Sequence, residues 1–154
     1  MGDADEVVGR TYPPHTYEVG REKIREYAQA VNESDRIHYE HDAAQAAGFR
    51  AVVAPPMFAV VYSGGALGPA ILDPELGIDF SKLVHGAQEF TWGEPVCAGD
   101  TITTTVEFTE RFDKGDNAFY LFTSRSENQD GQQVSEGTWT NIIRGAAAKG
   151  DSDE

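Results

Sequence analysis

AVVAPPMFAVVYSGGALGPAIL, residues 51–72, decides how the rest of the chain must be arranged. From 57 to about 67 almost every residue is apolar or small. Pro55 is held out of the helical region by the proline that follows it, whereas Pro56 suits the first turn of a helix. The stretch predicts a helix that begins at Pro56 and is hydrophobic all round. Such a helix must be buried on all sides, so other elements have to wrap it. Gly64 and Gly65 would interrupt it and let a ligand or backbone come close.

The wrapping material lies downstream. Residues 82–96 (KLVHGAQEFTWGEPV), 100–112 (DTITTTVEFTERF), 117–128 (NAFYLFTSRSEN) and 132–144 (QQVSEGTWTNIIR) are rich in β-branched and aromatic residues. Ile102, Thr104, Val106 and Phe108 alternate with polar neighbours, the period of a half-buried strand. AGD, DKGDN and NQDGQ are turn signals between these stretches and imply antiparallel hairpins. Upstream, residues 18–34 (EVGREKIREYAQAVNES) read as a helix with Ile24, Tyr27, Ala28 and Val31 on one buried face, stopping near Asn32. Residues 41–49 (HDAAQAAGF) predict a short helix ended by Gly48. A short strand near VGRTYPP, residues 8–14, can join the sheet. The class is α+β: about four long strands in a curved antiparallel sheet around the apolar helix.

A chain of 154 residues suggests one domain with a real core. Residues 1–6 and 146–154 are acidic, small or polar, and are expected to be disordered ends of a domain spanning 7–145. The net charge of −14 disfavours nucleic acid and anionic membrane surfaces and otherwise reads as solubility. Arg21, Lys23 and Arg25 are the tight basic cluster available to an acidic carrier. No apolar run of about 18 residues suggests a membrane span, and MGDADEVVGR lacks the apolar core of a signal peptide. Cys97, the single cysteine, fits a reducing cytoplasm, as a small hydrophobe rather than a reactive thiol.

NESDRIHYEHDAA, residues 32–44, concentrates four carboxylates and two imidazoles in one loop. It is either a proton-transfer site or a well-solvated turn. Asp35, three residues before His38, can orient the imidazole or cap the following turn. Met57, Phe58, Val60, Val61 and Tyr62 can line an acyl channel, be plain core, or both. His41 is expected to be exposed, and His15 to sit in a surface loop beside two prolines. No phosphate-binding glycine motif and no metal-ligand spacing is present, so neither cofactor nor metal is expected.

YAQAVNESDRIHYEHDAA, VVAPPMF and VHGAQEFTWGEPVCAGDTI, with the order of elements, resemble MaoC-like dehydratases and R-specific enoyl-thioester hydratases. The closer resemblance is to the amino-terminal type of MaoC domain, which includes small subunits of (3R)-hydroxyacyl-carrier-protein dehydratases. It covers roughly residues 7–145 and implies a single hot-dog fold. The family's motif runs Asp-x-Asn-Pro-Ile/Leu-His, with an Ala six residues later. Here it is matched by Glu33, Ser34, Asp35, Arg36, Ile37 and His38, with Ala44 in place. The resemblance implies that Glu33 and His38 grip one water, with Asp35 an alternative carboxylate. Catalytic members begin the buried helix with Ala-His-Gly, whose glycine amide binds the thioester oxygen. Ala54, Pro55 and Pro56 stand there in this chain, and Pro56 has no N–H to offer. The implied substrate is an acyl thioester of CoA or a carrier protein, held between two hot-dog subunits, identical or not. His85, in His-Gly-x-Gln, implies a structural hydrogen bond near the subunit interface. One reading is a (3R)-hydroxyacyl-thioester dehydratase or enoyl-thioester hydratase. The other is an acyl-binding subunit whose partner carries the intact Asp/His pair. A thioesterase on the same fold finds no carboxylate on the buried helix.

Overall fold

A computed structural model describes residues 4–147. Its five-stranded antiparallel sheet has the strand order β1-β3-β4-β5-β2. The strands are β1 (His15–Glu18), β2 (Leu83–Trp92), β3 (Thr101–Lys114), β4 (Asn117–Glu127) and β5 (Gln133–Ile143). The four long strands fall where alternation and turn residues place them. Ile102, Thr104, Val106 and Phe108 all point into the core. The segment near VGRTYPP is not a strand of its own. It lies along β3 through one bridge, Thr11 to Glu107, and bonds such as Tyr12 N–H to the Val106 carbonyl, 2.9 Å. Pro13 and Pro14 then break the pairing, and β1 starts at His15.

Helix α1 (Arg21–Ala30) buries Ile24 and Ala28, with Tyr27 half-buried. Val31, expected on that face, is 51% exposed because the helix ends before it. Asn32 takes a left-handed φ of 57° and turns the chain. Helix α2 (His41–Ala46) stops as Gly48 adopts a φ of +92°.

The apolar segment is helical from Pro56 to Ile71, but not uniformly. A 3-10 turn (Pro56–Phe58) leads into α3 (Ala59–Gly64), then a second 3-10 turn (Gly65–Leu67) and α4 (Gly68–Ile71). Phe58, Ala59, Tyr62, Ser63, Ala66, Leu67 and Ala70 are buried under the concave sheet face. Full burial of a side chain such as Phe58 or Phe122 contributes roughly 1.5–3 kcal/mol. The expectation of burial on all sides is corrected, since Met57 is 43% exposed and Val60 and Val61 are half-buried. One side of the helix has no sheet over it in a single chain. His15, expected in a surface loop, is half-buried and packs on Gly65, where a Cβ would lie 2.7 Å from its Nε2. The close approach that Gly65 permits is therefore to a side chain.

Ala4–Val7 form a 3-10 turn with Ala4 buried. Ala146 packs on the core and the Ala147 N–H bonds the Asp116 carbonyl at 3.1 Å. Residues 1–3 and 148–154, also expected to be disordered, lie outside the described residues. The whole is a hot-dog: a curved antiparallel sheet wrapped round one apolar helix.

Candidate active site

The loop after α1 is organised by its own carboxylates. Glu33 Oε1 accepts the N–H groups of Ser34 and Asp35, at 3.0 and 3.2 Å. Asp35 Oδ1 accepts the Ile37 N–H at 3.1 Å and so caps the 3-10 turn Arg36–His38. One oxygen of each acid is engaged by local backbone, a bond that short side chains commonly make in turns. The turn drives His38 inward, to 6% exposure. There its Nδ1 lies 2.6 Å from the Val53 carbonyl, and the Val53 N–H bonds the Ile37 carbonyl at 3.1 Å. A carbonyl can only accept, so Nδ1 carries a proton, and in the neutral ring the lone pair is on Nε2. Nε2 holds no protein partner among the described residues.

Residues 52–54 are tied in turn to 96–98. Val53 and Cys97 form an isolated bridge, and the Ala54 N–H bonds the Val96 carbonyl at 2.8 Å. Beneath Cys97 lies the Asp100 carboxylate, 1% exposed and bonded by the Cys97 N–H, Arg50 and Gln129. Burial pushes the Cys97 thiol up, in keeping with a small hydrophobe.

These segments enclose a cavity of about 560 Å³, within the range of small-molecule sites. His38 lines it, with Phe49, Val53, Tyr62, Val96 and Val134 as apolar walls. The Tyr62 hydroxyl donates to Ser135 Oγ at 2.9 Å, and burial pushes its phenol up. Pro56 contributes a wall but no amide, and its carbonyl accepts the Trp92 indole N–H at 2.9 Å. A smaller depression of about 270 Å³ adjoins it, sharing Phe49, Glu94 and Pro95 and adding Arg50, Asn128 and Gln132.

Of the residues expected at the site, His38, Ala54, Pro56 and Tyr62 meet at the cavity. Glu33, Asp35, Met57, Phe58 and Val61 are not among its lining residues. Phe58 is instead core, with Tyr17, Tyr27 and Tyr62 rings around it. Sequence reading missed Ile37, Phe49, Trp92, Glu94 and Val134, which also line the cavity. Trp92 and Glu94 come from the end of β2 and just beyond it, and the others from three further segments, so no one periodicity links them. His41 is exposed at the start of α2. His85 sits at the β2 bulge with Nε2 3.1 Å from Gln88 Oε1, its ring stacked on Trp139. Chemically, the site offers one imidazole of fixed tautomer facing a greasy chamber. Pro56 offers no amide donor, and the carboxylate among the lining residues is Glu94 rather than Glu33 or Asp35.

A family model described as "FAS1-like, dehydratase domain region" matches residues 6–137. A UPF0336 protein of Saccharopolyspora erythraea is 41% identical over 141 residues, covering 91% of this chain and 90% of the relative. One from Streptomyces coelicolor is 42% identical over 146 residues, covering 92% and 94%. Among solved structures, a MaoC-like dehydratase superposes with a TM-score of 0.84 at 25% identity, over 94% of this chain but 44% of that one. The C-terminally truncated HadBC (3R-hydroxyacyl-ACP dehydratase) complex from Mycobacterium tuberculosis gives a TM-score of 0.73 at 27% identity, over 88% and 96%. In fold, matched region and relatives alike, the chain belongs to the FAS1-like dehydratase family of hot-dog proteins, within its UPF0336 group.

Proposed function

We propose that this chain is the acyl-binding subunit of a heteromeric (3R)-3-hydroxyacyl-thioester dehydratase, or equally of the reverse trans-2-enoyl-thioester hydratase. The observation that carries this is the composition of the cavity: mostly apolar walls with His38 and Glu94, while Glu33 and Asp35 are absent from its lining and accept backbone N–H groups of their own loop. Dehydration removes a proton from C2 and expels the C3 hydroxyl, which leaves as water after taking up a proton. The thioester oxygen needs a hydrogen bond while it carries enolate charge. A proline at the helix start withholds one such donor, and losing one typically costs about 10²–10³ in rate. A partner hot-dog with an intact Asp/His pair would supply both the carboxylate and the amide.

The likeness to the HadBC (3R-hydroxyacyl-ACP dehydratase) complex supports such a partner. So does the free edge of β2, a long strand with Val84 and Trp92 42% and 50% exposed. An uncovered edge of this kind pairs readily with another strand. The substrate is a CoA or carrier-protein thioester, and the free Cys97 suits a reducing cytoplasm.

A second reading is favoured by one observation: with Nδ1 donating to the Val53 carbonyl, the lone pair of a neutral His38 ring is on Nε2, where it could take a proton from water. Here the chain itself adds water across the enoyl bond. The experiment follows the enoyl absorbance of crotonyl-CoA and a longer 2-enoyl-CoA with the purified chain. No turnover alone, restored by a second hot-dog subunit bearing the intact motif, supports the binding subunit. Turnover by the chain alone that vanishes in His38→Ala supports the second reading and overturns the first.

A further inference from the structure

We propose that the Tyr62 ring is the inner wall of the acyl cavity and limits the length of acyl tail that fits, an inference that rests on the acyl-binding reading above. Exposure gives the cavity its direction. Pro56, Trp92, Gly93, Glu94 and Pro95 are exposed lining residues and stand at the mouth. Tyr62 and Val134 line the same cavity at 2% and 1% exposure, so solvent scarcely reaches them and they stand at its inner end. Both belong, with Ala54 and Val96, to the core of this chain. The inner wall is thus complete within one subunit, whatever covers the mouth.

The Tyr62 ring stands between the chamber and solid core. Its hydroxyl donates to Ser135 Oγ at 2.9 Å, and Ser135 is fully buried and outside the lining. Phe58, also fully buried and outside the lining, packs on it with ring centroids 6.3 Å apart. Across the sheet Ser135 pairs with Ser126, whose Oγ lies 2.7 Å from Thr104 Oγ1. The strands facing the Tyr62 tip therefore carry small polar side chains, and the ring supplies the bulk that closes this end. Its hydroxyl, held on a buried partner, restrains the ring from swinging aside for a longer tail. Each methylene enclosed in the chamber raises affinity about fourfold, and one that fails to enter adds nothing. Shortening the side chain leaves room for more of the tail, because a packed core relaxes only partly around a deleted group.

The test measures dissociation constants of the full chain for pantetheine thioesters from butanoyl to hexadecanoyl, pantetheine being the arm common to CoA and carrier proteins. Wild-type affinity rises with length and then levels off. In Tyr62→Leu the plateau moves to longer tails, raising the hexadecanoyl-to-butanoyl preference by at least about fourfold. Tyr62→Phe keeps the ring and the wild-type plateau. A folded Tyr62→Leu that binds with an unchanged length preference overturns the inner-wall assignment and leaves the acyl-binding reading standing. Failure of wild type to bind any of the thioesters overturns both. Should Tyr62→Leu not fold, photolabelling of wild type decides, with a diazirine at the tail end of the longest thioester below the plateau and mass spectrometry to find the adduct. Crosslinks to Tyr62 or Val134 support the assignment. Crosslinks confined to Trp92, Gly93, Glu94 or Pro95 overturn it.

Discussion

Asp100→Ala tests the account of how the cavity wall is held. The Asp100 side chain is fully buried and receives the Cys97 N–H at 2.8 Å, an Arg50 guanidinium N–H at 2.6 Å and the Gln129 amide at 2.9 Å. It thereby ties the segments carrying Phe49 and Val96, both cavity walls, to the turn before β3. The three bonds are not equal. The Arg50 side chain is 51% exposed, so its charge is rehydrated on loss of the partner and contributes below about 1 kcal/mol. Gln129 is exposed and turns to water. The Cys97 N–H is buried and is left without an acceptor, which costs about 1–3 kcal/mol. Removing the buried carboxylate also relieves its desolvation, which trims the total. The net loss should be about 2 kcal/mol, equivalent to about 4–8 °C in Tm for a domain of this size. Urea unfolding followed by circular dichroism measures it, with the slope against denaturant unchanged. Gln129→Ala removes the amide donor to Asp100 and the exposed acceptor of the Thr101 N–H, both replaceable by water, and should cost less than about 1 kcal/mol. An Asp100→Ala loss below about 1 kcal/mol, or one matched by Gln129→Ala, would refute the reasoning.

The β2–β5 pairing can be probed with two glycines. Gly93→Ala forces a methyl onto the Gln133 backbone oxygen and should destabilise by more than about 1–3 kcal/mol, seen as a large drop in Tm. Gly86→Ala meets mainly the movable end of the Ile142 side chain and should cost distinctly less in the same melt. Acid stability should depend on Asp73. Burial pushes its carboxyl up, but hydrogen bonds from Arg10, the Glu75 N–H and Tyr12 outweigh this and hold it below the usual range. A depressed folded-state pKa stabilises above the unfolded value, near 3.9, and the benefit is lost as pH falls through the folded value. Arg10→Met should therefore narrow the stability gap between neutral and acid pH, measured as Tm against pH. A gap equal to wild type would rule that contribution out.

The parts of this protein legible in its sequence are those governed by neighbours along the chain. The apolar run after Pro56, the face of Ile24 and Ala28, and the alternation from Ile102 to Phe108 each specify an element because burial repeats at the element's own period. Together they demand a sheet around a helix. The family motif likewise marked His38, which the structure buries at the cavity. What the sequence could not decide is what each loop side chain does with its hydrogen bonds. Glu33 and Asp35 each had a cavity and a backbone amide within possible reach, and the amides two or fewer residues away hold them. Nor could it place Phe49, Trp92, Glu94 and Val134 around one chamber. They approach only because the bridge of Val53 to Cys97 and the pairing of β2 with β5 bring distant segments together. Secondary structure follows from local periodicity, whereas a site is a meeting of side chains whose separation along the chain carries no information about their separation in space.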